Sequence, residues 1–234
     1  MRFDKEITVH YLKGHEEYLR NVSVNCIISG FHDNELKVLL LHAKYARLPA
    51  LPGGFIKKIE LMDGAAKQIL KERTGLHEIY MQQFYVFSAT ERFTKKVNQQ
   101  FLKTVGVKAN ESRMFERLIT VSYCALVDFS KVQPVTDVFW NACEWFNRHD
   151  ISEMLLDHQD ILNKVLENLQ SQLNYHPLGY KLLPKKFTMP ELQKLYETIL
   201  DKHVNWQSFQ RKIAGTGVLK RINETKKGVV HTAP

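Results

Sequence analysis

The sequence predicts an α/β sandwich through about residue 170, followed by a small basic unit of two helices and a hairpin. Three observations carry this. Apolar strand runs alternate with amphipathic helical stretches over most of the chain, the pattern of a sheet covered by helices. Two prolines and a glycine then break the rhythm within 175–186. Beyond the break the charge changes. Tyr175–Pro234 holds eleven Lys or Arg against four Asp or Glu, a balance of +7, while the first 174 residues hold 22 against 21.

The elements follow in order. Residues 1–20 read as an N-terminal arm or a short helix, and residues 21–174 as the main domain. Val22–Ser29 (VSVNCIIS) is expected as a strand, Phe31–Glu35 as a turn and Leu36–Ala43 as a second strand. Met62–Thr74 puts Ala65, Ala66, Ile69 and Leu70 on one side of a helix that Gly75 closes. Ile79–Ala89 is an aromatic-rich strand, and the polar, basic Thr94–Arg117 a long loop inserted between strands. Leu118–Phe129 and Val138–Phe146 are buried strands, and Asp150–Leu173 is predicted as one long helix.

The remainder reads as a separate unit. Residues 175–186 are predicted as an extended linker, and 187–234 as a second domain. Thr188-Met-Pro-Glu191 is a capping box that starts a helix running to about Asp201. Pro190 costs little there, because a first-turn N–H has no intrahelical partner. A further helix begins near Asn205, and Val218–Val230 reads as a hairpin around Asn223–Gly228. Helix, helix and hairpin in a basic segment form the layout of a winged helix-turn-helix.

Composition excludes some classes. No apolar run approaches the ~20 residues of a membrane span, so no membrane partner is expected. The charged N-terminus is unlike a secretory signal, and a cytoplasmic location is the expectation. Cys26, Cys124 and Cys143 lie far apart in apolar segments with no C-x-x-C pair, which makes them buried thiols rather than disulfides or a zinc site. No cofactor is implied.

The stretch LPGGFIKKIELMDGAAKQILKERTGL at 51–76 carries a familiar skeleton. It resembles the Nudix box, G-x5-E-x7-R-E-U-x-E-E-x-G-U with U aliphatic. Gly54, Glu60, Leu70, Glu72, Gly75 and Leu76 fall in register. Gln68 stands where the pattern has Arg, Ile69 where it has Glu, and Arg73 where it has the last Glu. In Nudix hydrolases the helix glutamates bind Mg²⁺, which brings together a diphosphate and an attacking water. Ile69 offers no ligand, and Arg73 puts a fixed cation where the metal would sit. A unit-charge pair at ~4 Å is worth about 4 kcal/mol at an effective dielectric of ~20, and a divalent ion doubles it. The residual Glu60 and Glu72 are a poor seat for a catalytic Mg²⁺, so no metal site, no catalytic residue and no enzyme activity are expected. Glu72 and Arg73 are equally readable as solvated helix charges. The sharper reading keeps the pocket as a binding site, with Arg73 paired to Glu60 or meeting a ligand oxygen. Gly54, Glu60, Glu72, Arg73, Arg92 and Arg117 are the candidate effector-binding residues, and Glu91 is a weaker one.

In the basic unit, Trp206, Phe209 and Ile213 share a narrow sector expected to pack on the preceding helix. Gln207, Ser208, Arg211 and Lys212 point roughly the other way. Gln and Arg read adenine and guanine edges in the major groove, while Ser and Lys commonly meet phosphates. Lys220, Arg221, Lys226 and Lys227 on the hairpin would lie along the backbone or minor groove. Each charge alone reads as a solvated surface group; with the +7 balance and the element order, together they read as a face for double-stranded DNA.

The chain as a whole resembles the Nudix-related transcriptional regulators, which join a decayed Nudix domain to a winged helix-turn-helix. The likeness rests on LPGGF at 51–55, the box through Leu76, LLDH at 155–158, LGYKLLPKKFTMPELQKLYETIL at 178–200, and Phe209-Gln-Arg211-Lys212-Ile213. It implies a homodimer on palindromic operators, controlled by a small metabolite: either an ADP-ribose-like nucleotide or a sugar such as L-arabinose. The 178–200 stretch is closer to the sugar branch. The expected function is therefore a ligand-responsive, sequence-specific transcriptional regulator with a non-catalytic Nudix-like sensor. The rivals are an active Nudix hydrolase cleaving a nucleoside-diphosphate derivative, and a protein–protein adaptor.

Overall fold

The computed structural model describes residues 16–44, 48–77, 79–90, 92, 117–137, 140–175 and 178–222. Seven strands form one mixed sheet: β1 (Tyr18–His32), β2 (Glu35–Ala43), β3 (Pro49–Ala50), β4 (Gly53–Lys57), β5 (Tyr80–Phe87), β6 (Ile119–Leu126) and β7 (Trp140–Asn147). The main path runs β3-β2-β1-β6-β5, with β4 also on β1 and β7 also on β2. β1 and β6 are parallel, from Val22 opposite Ile119 to Ser29 opposite Leu126. β1 extends several residues beyond the predicted strand at both ends. It turns into β2 through Asp33 and Asn34, both with positive φ (51° and 61°). Two consecutive left-handed residues match the right-handed strand twist, and Asp and Asn tolerate that backbone.

Helices cover both faces. Helix α1 (Met62–Thr74) lays Ala65, Ala66 and Leu70 on Val24, Cys26, Ile28, Leu39, Leu41 and Val121. Its bounds are those the periodicity predicts, and Gly75 ends it at φ 71°, where a β-carbon would be strained. On the opposite face, helix α2 (His158–Tyr175) places Ile161, Leu162, Val165, Leu166 and Leu169 over Ile27, Val38, Leu40, Cys124 and Leu126. The two faces follow strand alternation, with Ile27 on one side and Cys26 and Ile28 on the other. All three cysteines are buried and free, and burial pushes the thiols of Cys26 and Cys124 well up.

Two predictions around α2 are corrected. The helix starts at His158, eight residues after Asp150. Ile151, Met154 and Leu155 mimic a helical stripe, yet Leu155 gives its N–H to Pro49 O at 2.8 Å and Leu156 has φ 59°. The run caps the core as irregular backbone. Nor is 175–186 an extended connector throughout: Leu178–Leu182 forms a 3₁₀ turn, and Leu182 and Leu183 are buried in the same core as α2.

Helix α3 (Met189–Leu200) begins at the predicted capping box. Thr188 Oγ1 accepts the Glu191 N–H at 3.3 Å, and the Glu191 carboxylate accepts the Thr188 N–H at 2.7 Å. Asp201 ends it in the left-handed region. Glu197 and Gln193 then clamp the turn: Val204 N–H donates to Glu197 Oε1 at 3.0 Å, and Gln193 Nε2 donates to Val204 O at 2.8 Å. The Val204 N–H also holds the Glu197 carboxyl below its usual range. Helix α4 (Trp206–Gly215) starts at Asn205, whose side chain caps Ser208 N–H at 3.1 Å. Phe209 and Ile213 pack on α3, with Phe209 edge-on to Tyr196. Trp206 does not join their cluster; it is 37% exposed at the first turn of α4. The predicted loop at 94–117 (Arg117 excepted) and hairpin around 223–228 lie outside the described residues, as do Glu91 and residues 1–15.

Candidate effector cleft and DNA-binding face

A cleft of about 570 Å³ opens between α1, β4, the cleft end of β1 and β6, and the start of α2. That volume is in the range of small-molecule sites. Backbone geometry shapes its edge. A β-carbon on Gly53 would fall 2.2 Å from Asn25 Oδ1 and 2.8 Å from Val24 O, so only glycine lets β4 come this close to β1. Gly54 beside it lines the opening, with Ile69 facing it.

Arg73 decides the character of the cleft. The third position of the carboxylate set is occupied by its guanidinium, 6% exposed and ion-paired to Asp137. The pairing to Glu60 is corrected: the Glu60 carboxylate instead accepts the Lys57 N–H at 3.3 Å, closing its own turn. Glu72 takes a hydrogen bond from Gln68 Nε2 at 2.7 Å on the exposed side of α1. Arg73 Nε is buried and has no hydrogen-bond partner among the described residues. The donor set does not fit the metal of a Nudix hydrolase, since Ile69 supplies no oxygen and Arg73 brings a cation. Among the described residues no group of three or more His, Cys, Asp or Glu is arranged to hold a metal ion.

The other candidates divide. Gly54, Glu60, Glu72, Arg73 and Arg92 all line the cleft; Arg117 does not, being exposed and donating to Ser88 O at 3.3 Å. Arg92 is committed elsewhere as well. It grips Asp157 through Nε and Nη2, the latter at 3.0 Å, and gives Nη1 to Phe87 O at 2.7 Å. This buried pair fastens the segment after β5 to the start of α2.

Sequence reasoning missed several lining groups. Ser23 and Asn25 of β1, Thr120 of β6, Asp137, Trp140 and His158 all face the cleft. Ser23 Oγ and Thr120 Oγ1 share a hydrogen bond of 2.8 Å at the buried floor. Polar residues two apart in the otherwise apolar VSVNC were the available signal, because such residues share one strand face. Asp137 and Trp140 had none, since only the folded chain brings them to α1.

On the basic unit, Gln207, Ser208 and Arg211 are exposed along α4, and Lys220 and Arg221 are exposed just beyond it. Lys212 is turned back, with Nζ donating to Leu173 O of α2 at 3.4 Å. Lys226 and Lys227 lie outside the described residues.

Residues 179–234 match the family model described as the NrtR DNA-binding winged helix domain. The solved NrtR of Shewanella oneidensis bound to a 27mer DNA superposes with a TM-score of 0.70 at 25% identity, covering 89% of this chain and 90% of that one. The chain is therefore similar to NrtR in its C-terminal residues by sequence and over most of its length in fold. A second relative is the ADPR-responsive transcriptional repressor NtrR of Acinetobacter baylyi, 25% identical over 88% of this chain and 76% of that protein. The Nudix domain of the Shewanella protein, solved with ADP ribose, matches with a TM-score of 0.50 at 20% identity over 71% of this chain and 99% of that one, which speaks to fold. In this chain the sandwich and the C-terminal helices are joined through one continuous core, since α3 and α4 share an apolar cluster with α2 and β2.

Proposed function

We propose that this Nudix-related regulator binds operator DNA through residues 187–234 and that an ADP-ribose-like nucleotide in the cleft controls that binding. The observation that carries the reading is the Arg73–Asp137 pair in the former metal seat. A guanidinium is a permanent donor to diphosphate oxygens and needs no Mg²⁺ to bridge them. Aromatic residues at the cleft, Tyr18, Phe55 and Trp140, suit a base, and the Ser23–Asn25–Thr120 floor suits ribose hydroxyls. Of the two effector classes the resemblance implied, the Acinetobacter relative's responsiveness to ADPR supports the nucleotide; the comparisons lend the sugar no support.

Gln207, Ser208 and Arg211 are the residues placed to read the major groove, with Lys220 and Arg221 on the backbone. Lys212 serves the joint to α2 rather than the DNA. Two copies on a palindromic operator complete the reading, since winged helices meet half-sites in fixed geometry. No hydrolysis is expected with Ile69 and Arg73 in place.

The experiment is a thermal-shift screen of the full chain with ADP-ribose, related nucleotides and pentoses, followed by operator gel shifts with the best ligand. A specific ADP-ribose shift that changes DNA affinity is the expected result. Turnover of a nucleoside-diphosphate derivative with Mg²⁺, abolished in Glu72→Gln, would instead establish the hydrolase.

A further inference from the structure

We infer that His158 is an effector-contacting residue, its imidazole held so that Nε2–H is offered to an oxygen of the ligand in the cleft. The inference rests on the cleft being the effector site.

Three features of the geometry support it. His158 lines the cleft yet is only 7% exposed. Its Nδ1 accepts the Leu51 N–H at 3.0 Å, so in the neutral ring the proton must sit on Nε2. The described residues offer Nε2 no acceptor, and it is not among the side-chain atoms sealed from the surface without a partner. Buried polar side-chain atoms are in the large majority hydrogen-bonded within the fold. Here one ring nitrogen is anchored and the other is left for what enters.

The surroundings keep the ring neutral. Burial lowers its pKa to about 4, and the Arg92 guanidinium adds to this against the pull of Asp157. Arg92 and Asp157 satisfy each other, so neither competes for the imidazole. A neutral N–H donor suits a ribose hydroxyl or a diphosphate oxygen and leaves the anionic recognition to Arg73.

Position adds the regulatory consequence. His158 is the first residue of α2, a helix ~27 Å long at 1.5 Å per residue for its 18 residues. Its far end holds both DNA-unit helices: Gln170 Nε2 donates to Ile199 O at 2.9 Å, and Leu173 O accepts from Lys212. A ligand bonded to His158 therefore acts on the strut that carries α3 and α4.

The test uses the full chain. Titration calorimetry with ADP-ribose compares wild type, His158→Phe and His158→Gln, and NMR of isotope-labelled histidine reports the tautomer without and with ADP-ribose. We expect the Nε2–H tautomer at neutral pH, a shift of its resonances on ADP-ribose addition, and binding at least tenfold weaker in His158→Phe. His158→Gln, whose amide nitrogen reaches the place of Nε2, should recover much of the affinity. An Nδ1–H or doubly protonated ring overturns the inference, as does a folded His158→Phe that binds like wild type. If the Phe variant does not fold, an ADP-ribose-insensitive imidazole signal in wild type overturns it equally. Wild type that fails to bind ADP-ribose overturns the effector reading and this inference together; tight wild-type binding with no dependence on His158 overturns this inference alone.

Discussion

Arg73 of α1 and Asp137 of the segment before β7 are 64 residues apart in sequence and form an ion pair at the cleft. The pair links the helix that carries the decayed box to the segment before β7, which also gives the Val135 N–H to Arg73 O at 3.1 Å. It also makes the charge of Arg73 tolerable, because a buried guanidinium without a counter-ion is costly.

Arg73→Met is expected to lower stability by about 1–3 kcal/mol, since the ion pair of the buried guanidinium with Asp137 is lost. In thermal melts this is a drop of several degrees for a chain of this size. The double variant Arg73→Met/Asp137→Leu should recover part of the loss. Strictly additive effects in that cycle would rule out the coupling.

Effector binding should be independent of divalent metal. ADP-ribose affinity measured with EDTA and with excess Mg²⁺ is expected to agree within about twofold, because Arg73 supplies the cation that Mg²⁺ supplies elsewhere. A tenfold loss in EDTA would show that Glu60 and Glu72 still recruit a metal.

Stability should fall on mild acidification. Burial holds His158 near pKa 4, against an ordinary 6.5, so between these values the unfolded chain binds a proton that the folded chain does not. This contribution is complete above about pH 6.5 and is lost as pH falls toward 4, on the order of 3 kcal/mol in all at 1.36 per unit. Urea melts at pH 7.5 and pH 4.5 test it. His158→Phe should show a shallower fall than wild type, and equal slopes would assign the acid sensitivity to other groups.

On DNA, Arg211→Ala should cost about 1–3 kcal/mol and relax preference at one base pair of the operator. Lys220→Ala should weaken all sequences evenly and reduce the salt slope by about one. Gel shifts across salt concentrations separate the two. If both variants keep wild-type operator affinity, α4 is not the reading helix.

Gln170→Leu breaks the tie between α2 and the end of α3 without touching the cleft. ADP-ribose affinity in the absence of DNA should stay within about twofold of wild type, while the change ADP-ribose makes in operator affinity shrinks. A full response in this variant would remove α2 as the carrier.

What the sequence determined by itself is what neighbouring residues decide. Helix α1 was legible to the residue, because its apolar spacing and the Gly75 stop act within a few turns. The capping box at Thr188–Glu191 and the cap at Asn205 were legible for the same reason: donor and acceptor lie three residues apart. The decayed box was readable too, as Ile69 and Arg73 change the chemistry of a helix face wherever it packs.

Tertiary structure alone decided the rest. Apolar spacing at Ile151, Met154 and Leu155 suits a helix, yet α2 waits for His158 because Pro49 takes the Leu155 N–H and Arg92 takes Asp157. The partners of Arg73, Arg92 and His158 lie 64, 65 and 107 residues away, and no local pattern encodes such pairings. Arg117, a cleft candidate by its place near a strand end, is exposed and donates to Ser88 O instead. Burial makes these long-range bonds strong and selective, and burial exists only once the sheet has brought distant segments together.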